Sequence, residues 1–301
     1  MPRPRISVLT ALLACLALPL LATPAIAKKH KKPKGLGPVV TATATGNTVS
    51  TQGTVSTATA ACPSGKQAVG GGFSVPLTVT NKLFVTSSFR SAPNAWTIAA
   101  RNESGSGAAT AFAYCRNANH AITDATSAGT VPSGGAQVGD ATASCPTGTR
   151  LISGGFEITN GASGNFAVPS LSSAINANPQ WLVQAVNNTT GAHPLTVHAY
   201  CMAGIPAPKF VNSNSSPNLA MNAAGSLSSP ACPAPKKPKK GKKRKKKPAQ
   251  LLSAGGFAGQ STVPVALFSD ARINGATWLA SGANITGPAG PIHFASQGIC
   301  F

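Results

Sequence analysis

The amino-acid sequence predicts an all-β protein built from three tandem, disulfide-stapled, antiparallel units. Three observations support this fold class. A set of landmark residues recurs three times, few stretches outside the first 25 residues are long enough for a helix and free of Gly and Pro, and six cysteines fall two to a repeat. Self-similarity of this kind is the signature of a repeat architecture. Each unit is expected to be a small sandwich of about five strands.

The landmarks follow one another in a fixed order. A Cys-Pro pair leads to Gly-Gly-Phe, then to a tryptophan, an asparagine and a second cysteine. The tryptophans are the three that the chain contains, one per repeat. In order of repeat, the landmarks are Cys62, Cys145 and Cys232; Phe73, Phe156 and Phe257; Trp96, Trp181 and Trp278; Asn102, Asn187 and Asn284; Cys115, Cys201 and Cys300.

The N-terminal segment predicts export. In residues 1–27, Arg3 and Arg5 precede an apolar core that ends in a small-residue cleavage site, which is typical of a secretory signal peptide. Once this peptide is removed, no transmembrane segment is expected. The protein is therefore expected to be secreted, and either extracellular or associated with the cell envelope.

The rest of the chain divides at changes of composition. Residues 28–38 form a basic, proline-containing spacer that is expected to stay disordered. The β repeats are expected at residues 39–118, 122–204 and 210–301. The third repeat carries a basic loop insertion at residues 236–248, in the turn that follows its Cys-Pro pair. Because so charged a run cannot be buried unpaired, this turn is expected at the surface of every repeat.

The cysteines are expected to pair within repeats. Without the signal peptide six cysteines remain, and if each repeat is one folding element, the pairs are Cys62 with Cys115, Cys145 with Cys201 and Cys232 with Cys300. An oxidising compartment preserves such bonds. Units this small and this poor in large apolar side chains need the added stability.

Within the first repeat, local patterns predict each element in turn. Alternation of small residues and threonine over residues 41–59 is consistent with one or two edge strands, and the Cys62–Gly65 segment is a turn. Strands are expected at 67–75, 83–90 and 109–115, and a further half-buried strand places Trp96 inside.

The last strand of the second repeat indicates which face is inside. Its aliphatic residues share one face with the cysteine, so the cysteine is expected to point into the core. The inward residues are Leu195, Val197, Ala199 and Cys201, and those on the other face are Thr196, His198 and Tyr200.

Three landmarks have a functional and a structural interpretation. The Gly-Gly pairs are followed by a strand rather than the helix that a phosphate loop needs, so they are expected to let the repeat's tryptophan or a neighbouring chain pack closely. Trp96, Trp181 and Trp278 could stack on sugars, but their phase favours one core tryptophan per repeat. The three asparagines are expected to end the tryptophan strand as turn residues.

Catalytic and metal chemistry find little support. The five acidic residues (Glu103, Asp124, Asp140, Glu157 and Asp270) occupy no position shared by all repeats, and no GxSxG or HExxH motif is present. His193 and His198 could share a metal only if the strand between them bends. All four mature-body histidines, which also include His120 and His293, are expected to be solvated or in turns. No catalytic residue, metal or cofactor is predicted.

The positive charge is concentrated in two runs. Removing Arg3 and Arg5 leaves 23 basic and 5 acidic residues, a formal charge of +18. Fifteen of the 23 lie in the two runs, so the remaining 8 basic and 5 acidic residues give the rest of the chain only +3. The runs comprise Lys28, Lys29, Lys31, Lys32 and Lys34, and then Lys236, Lys237, Lys239, Lys240, Lys242, Lys243, Arg244, Lys245, Lys246 and Lys247.

Such runs attract polyanions: nucleic acid, anionic lipid or the acidic polymers of a cell wall. They contain no aromatic residue to stack on bases, so specific nucleic-acid recognition is not expected. The favoured function is a non-enzymatic secreted or envelope-associated protein tethered to anionic surface polymers. The alternative is a lectin-like module that binds carbohydrate through outward polar residues. A secreted enzyme ranks third.

The landmark set resembles repeats of uncharacterised secreted bacterial proteins, a resemblance that covers nearly the whole mature chain and implies no activity. More weakly, three stapled β repeats resemble the β-prism of vitelline-membrane outer-layer proteins. That second resemblance implies an alternative arrangement, one domain with a pseudo-threefold axis and a carbohydrate site.

Overall fold

The structure is a computed structural model in which every described strand pairs antiparallel. All the described residues belong to one compact unit, residues 34–301. The predicted all-β class is confirmed. The described residues are 38–76, 78, 82–135, 137–161, 164–175, 178–187, 189–215, 218–221, 223–233, 251–253, 265–275, 277–284, 290–291 and 294–301.

Within these described residues each repeat supplies six main strands, one more than the predicted five. The first repeat contains β1 (Val40–Thr45), β2 (Val55–Ala61), β3 (Lys66–Ser74), β4 (Lys82–Ala92), β5 (Ala95–Ser104) and β6 (Thr110–Asn117). The second contains β7 (Ile122–Val131), β8 (Gln137–Ser144), β9 (Thr149–Ile158), β10 (Ala167–Ile175), β11 (Gln180–Asn187) and β12 (His193–Ala203).

The third repeat adds two short strands, β14 and β19, to the same plan. Its strands are β13 (Lys209–Ser215), β14 (Asn218–Leu219), β15 (Ala224–Ser228), β16 (Leu251–Ser253), β17 (Val265–Arg272), β18 (Trp278–Asn284), β19 (Gly290–Pro291) and β20 (Phe294–Cys300).

Every repeat is organised as two three-stranded sheets with the same strand order. The first repeat forms β1-β6-β3 and β2-β5-β4, and the second forms β7-β12-β9 and β8-β11-β10. The third repeat forms β13-β20-β16 and β15-β18-β17. The two edge strands predicted within residues 41–59 are β1 and β2, and each lies at the edge of its sheet.

The disulfides join the two sheets of each repeat. They pair Cys62 with Cys115, Cys145 with Cys201 and Cys232 with Cys300, as predicted. The first cysteine of each pair precedes the Cys-Pro turn. In the first two repeats this turn is exposed, as predicted, and closes through a glycine at positive φ, 73° for Gly65 and 83° for Gly148.

Neighbouring repeats share sheets. Asp270 of β17 pairs with Phe73 of β3, so halves of the third and first repeats form one six-stranded sheet. Ser88 of β4 pairs with Phe156 of β9 in the same way, which joins the first and second repeats. The sandwiches are therefore fused along seams, where a seam is the junction at which one repeat's sheet meets the next.

A third seam joins the second repeat to the third. Gln297 of β20 hydrogen bonds to the backbone of Ala174 in β10, accepting from its N–H at 2.8 Å and donating to its C=O at 3.1 Å. Every repeat therefore contacts both others through two different surfaces, and a ring of such contacts closes after three members. Each repeat keeps the predicted small sandwich while it contacts both neighbours.

Candidate functional site: the seams and the charged cluster of the second repeat

Two seams are built around a tyrosine. Tyr200 in β12 meets the Trp96 ring edge to face, with 5.5 Å between ring centroids, and its hydroxyl accepts the Arg90 N–H at 2.7 Å. Tyr114 in β6 repeats this geometry across the other seam, with 5.4 Å to Trp278 and 2.7 Å to the Arg272 nitrogen. The chain contains two tyrosines, each directly before the second cysteine of its repeat.

The third seam replaces the tyrosine with an amide. The residue before Cys300 is Ile299, which has no hydroxyl to accept the N–H of Ala174. Gln297, two residues earlier and therefore on the same face of β20, satisfies that N–H instead. The polar requirement of the seam is thus met by a different residue at a neighbouring position.

The Gly-Gly-Phe motif fits both the sandwich and the seam. A Cβ on Gly71 or Gly154 would overlap the indole of the tryptophan in the same repeat. A Cβ on Gly72 or Gly155 would overlap backbone of the neighbouring repeat, at Asp270 and Ser88 respectively. The predicted role of these glycines in close packing is confirmed. The Phe73 and Phe156 rings then meet edge to face at 6.4 Å.

The repeat asparagines are buried and hydrogen bond to the backbone of a neighbouring segment. Asn102, Asn187 and Asn284 are fully buried, which the turn prediction did not anticipate. Their side-chain amides donate to carbonyl groups in the segment between the first two main strands of the repeat, at Thr51, Pro132 and Leu219. Asn187 and Asn284 end their strands, whereas Asn102 lies two residues before the end of β5.

A charged cluster distinguishes the second repeat. His198 in β12 places Nδ1 at 3.0 Å from Oδ2 of Asp124 in β7, and Nε2 at 3.0 Å from Oε1 of Glu157 in β9. The imidazole is buried, whereas the carboxylate side chains are 37% and 40% exposed. His198 stacks on Phe89 of the first repeat at 5.7 Å and on Tyr200 at 5.9 Å, so the cluster borders the seam.

Burial and neighbouring groups shift the pKa of two side chains, His198 in this cluster and Asp270 at another seam. Burial alone would lower the pKa of His198, but the hydrogen bonds and charges of Asp124 and Glu157 outweigh it and raise the pKa above its ordinary value. At the other tyrosine seam, Asp270 is buried and accepts a hydrogen bond from Trp278 Nε1. Its burial raises the pKa of the carboxyl to about 7, against the lowering effect of that bond.

The expectation that the histidines are solvated or in turns is wrong for two of them. His198 and His193 are buried within β12 on opposite faces of the strand, His193 on the face of Leu195 and His198 on the face that packs against the neighbouring repeat. His193 bonds through Nδ1 to the carbonyl of Thr159 at 3.2 Å, and β12 runs unbroken between the two histidines. His120 is half-buried, and His293 lies outside the described residues.

The remaining predicted site residues fall into two groups. Trp96, Trp181 and Trp278 are at most 2% exposed, so they lie in the core and cannot stack on sugars. All fifteen residues of the two basic runs lie outside the described residues. Sequence reasoning missed the seam tyrosines and the His198 cluster. The signal for the tyrosines was their shared position before Cys115 and Cys201.

Comparison with protein-family models and with curated proteins finds no match. Within the described ranges, no group of three or more His, Cys, Asp and Glu side chains is arranged to hold a metal ion. The same part of the chain contains no helix of the length and apolarity needed to cross a membrane.

Proposed function

We propose that the protein is a non-enzymatic, exported β scaffold that two lysine-rich segments hold on anionic polymers of a cell envelope. The observation that carries this proposal is the segregation of charge. The two runs contain fifteen basic residues, whereas the rest of the mature chain has 8 basic and 5 acidic residues. A body with this near balance attracts polyanions weakly, whereas each run attracts them strongly.

The strands that follow the two runs begin beside cysteines of their repeats. The first run precedes β1, whose first residue, Val40, pairs with Cys115. The second run follows Cys232 and precedes β16, whose first residue, Leu251, pairs with Cys300. Both runs thus join the body beside the disulfide of a repeat.

Two tethers on one body act together. Once one run is bound, the other is held near the same surface at a high effective concentration, so the pair binds more tightly than either alone. In this proposal the repeats are the displayed part, and the runs are the anchor.

The test measures binding of the mature protein to isolated cell wall as salt is raised. Glutamine at the ten basic positions of 236–247 removes charge and preserves length, and arginine at its nine lysine positions preserves both. The parent and the arginine variant should bind and elute with salt, because screening weakens the attraction. The glutamine variant should elute at lower salt, and a variant with both runs neutralised should not bind.

Unchanged, salt-resistant binding by the variant with both runs neutralised would overturn the tether proposal. Recognition would then reside in the repeats. In that case a glycan array tests the lectin-like alternative, for which binding to neutral sugars is the expected result.

A further inference from the structure

We propose that His198, Asp124 and Glu157 form a proton-dependent latch, which closes the seam between the first and second repeats when the imidazole carries both protons and loosens it when one is lost. The proposal is independent of the function proposed above. It rests on the hydrogen-bond geometry of the cluster, its position beside the seam, and its restriction to one repeat.

The geometry needs two protons on the ring. A neutral imidazole has one N–H and one lone pair, whereas the imidazolium donates from both nitrogens. Since each nitrogen of His198 lies 3.0 Å from a carboxylate oxygen, loss of one proton sets a lone pair against an anionic oxygen. One carboxylate must then turn toward the solvent, to which both already have access.

The cluster acts on the seam through three contacts with the first repeat. The His198 ring covers Phe89, and Glu157 pairs with Ser87 across the β4–β9 junction. On the β4 side the charged group is Arg90, whose guanidinium interacts with Asp124 and whose backbone N–H donates to Tyr200. Tyr200 is the other titratable group that packs on the ring, and its pKa is raised well above 10, so it stays neutral here.

No other repeat has this charge set. At the positions of Asp124, His198 and Glu157, the first repeat has Thr41, Phe112 and Ser74, which the strand registers identify. The third repeat has Phe210, Gln297 and, by its place in Gly-Gly-Phe-x, Ala258. Three titratable residues on three strands thus occur together at one seam, whereas the equivalent positions of the other two repeats are uncharged. That joint occurrence is expected of groups that work as a unit.

The test compares hydrogen exchange at two seams of the same molecule. The Arg90 amide bonds to Tyr200 beside the latch, and the Ala174 amide bonds to Gln297 at a seam without it. After correction for intrinsic exchange rates, Arg90 protection relative to Ala174 should fall as pH rises from 5 to 8.5. The fall should reach about tenfold for each unit by which the pKa of His198 exceeds that of an exposed histidine.

The matched variant is His198→Gln, which installs the residue that the third repeat has at this position. It should make the protection ratio independent of pH. Asp124→Asn combined with Glu157→Gln provides a second route that leaves the histidine in place. Because burial alone lowers the pKa of His198, the protection ratio of this variant should no longer fall, and should instead rise, as pH increases. A ratio that is flat in the parent protein, or that falls equally in His198→Gln, would refute the latch.

Discussion

At the scale of single residues, the core of this protein depends on glycines that leave room for a neighbouring tryptophan. Gly154 lies in β9 where any Cβ would occupy the space of the Trp181 indole, whose Nε1 donates to Ser172 at 3.0 Å. The same relation holds between Gly71 and Trp96, whose Nε1 donates to Ser88. The indole of each tryptophan thus donates a hydrogen bond to a serine and packs against a glycine that has no side chain to displace it.

We expect Gly154→Ala to lower the free energy of unfolding by about 1–3 kcal/mol, because the indole must leave its position to admit the methyl group. Gly135→Ala is the matched control, since no atom lies within 4 Å of the Cβ it would add. Urea unfolding followed by tryptophan fluorescence measures both variants. Equal midpoints for the two would show that the packing of glycine on indole has no energetic weight.

Asp270 takes the place that Ser88 and Ser172 hold in the other repeats, as partner of the tryptophan Nε1. Its carboxyl stays neutral in the folded chain to about pH 7, whereas in the unfolded chain it ionises near pH 4. The folded chain therefore binds more protons over this range. Its free energy of unfolding should fall as pH rises, by up to about 4 kcal/mol between pH 4 and pH 8.

Asp270→Ser should remove that pH dependence and keep an oxygen for the indole N–H. The measurement is the difference in unfolding free energy between variant and parent at pH 5, 6, 7 and 8, which cancels the contribution of other groups such as His198. The unfolding free energy of the variant should increase relative to that of the parent as pH rises. A constant difference across this range would mean that the carboxyl does not titrate as its burial requires.

At the scale of elements, β20 satisfies the backbone of the neighbouring repeat with a glutamine, where β6 and β12 use a tyrosine. Gln297 in β20 is buried and satisfies both the N–H and the C=O of Ala174. Its position on β20 corresponds to that of His198 on β12, and not to that of the seam tyrosines. The strand pattern is therefore the same in all three repeats, but the side chain that accepts the N–H of the neighbouring repeat lies two residues earlier in β20.

Gln297→Ala should destabilise the protein by about 2 kcal/mol, because it leaves a buried backbone N–H without its partner. Gln137→Ala, at an exposed position of β8, should change stability by less than about 0.5 kcal/mol. Adding Ile299→Tyr to the Gln297 variant restores a hydroxyl at the position of Tyr114 and Tyr200, and part of the loss should be recovered. Thermal unfolding of the four proteins checks this order.

The strands of this protein were more predictable than their surroundings. Alternation correctly identified the inward face of β12, which carries Val197 and Cys201, since that face packs within its own repeat. The other face carries His198 and Tyr200, and the alternating pattern indicated that this face does not pack in the core of the repeat. It is buried because β4 of another repeat lies beside it, and a contact with residues more than 100 positions away leaves no local period.

At the scale of the whole molecule, shared sheets tie the stability of each repeat to the other two. The edges of β3 and β9 are covered by strands of neighbouring repeats, so an isolated repeat would expose them. The landmarks predicted three stapled units, and the structure bears this out. Their fusion could not be predicted from the landmarks, because β4, β10 and β17, which the repeats contribute to the seams, carry no landmark residue. The backbone N–H that is satisfied there belongs to Arg90, Ala174 or Arg272, and these residues are not identical in all three repeats.

We expect the three repeats to unfold in one cooperative transition. Removing one disulfide through Cys145→Ser with Cys201→Ser, which opens a loop with a sequence separation of 56 residues, should cost about 4 kcal/mol and lower the midpoint of the whole chain. Far-UV circular dichroism and tryptophan fluorescence should give coincident curves. A separate early phase with about a third of the signal would show instead that the repeats unfold independently.

The closed ring of head-to-tail seams also has an evolutionary meaning. Since every repeat offers the same two surfaces, three separate copies of one ancestral repeat could assemble as a homotrimer with the same architecture. Joining the copies in one polypeptide frees each from the identity that such a symmetric assembly imposes. The lysine insertion of the third repeat and the charged trio of the second are changes that a homotrimer would carry three times over, and that a fused chain carries once.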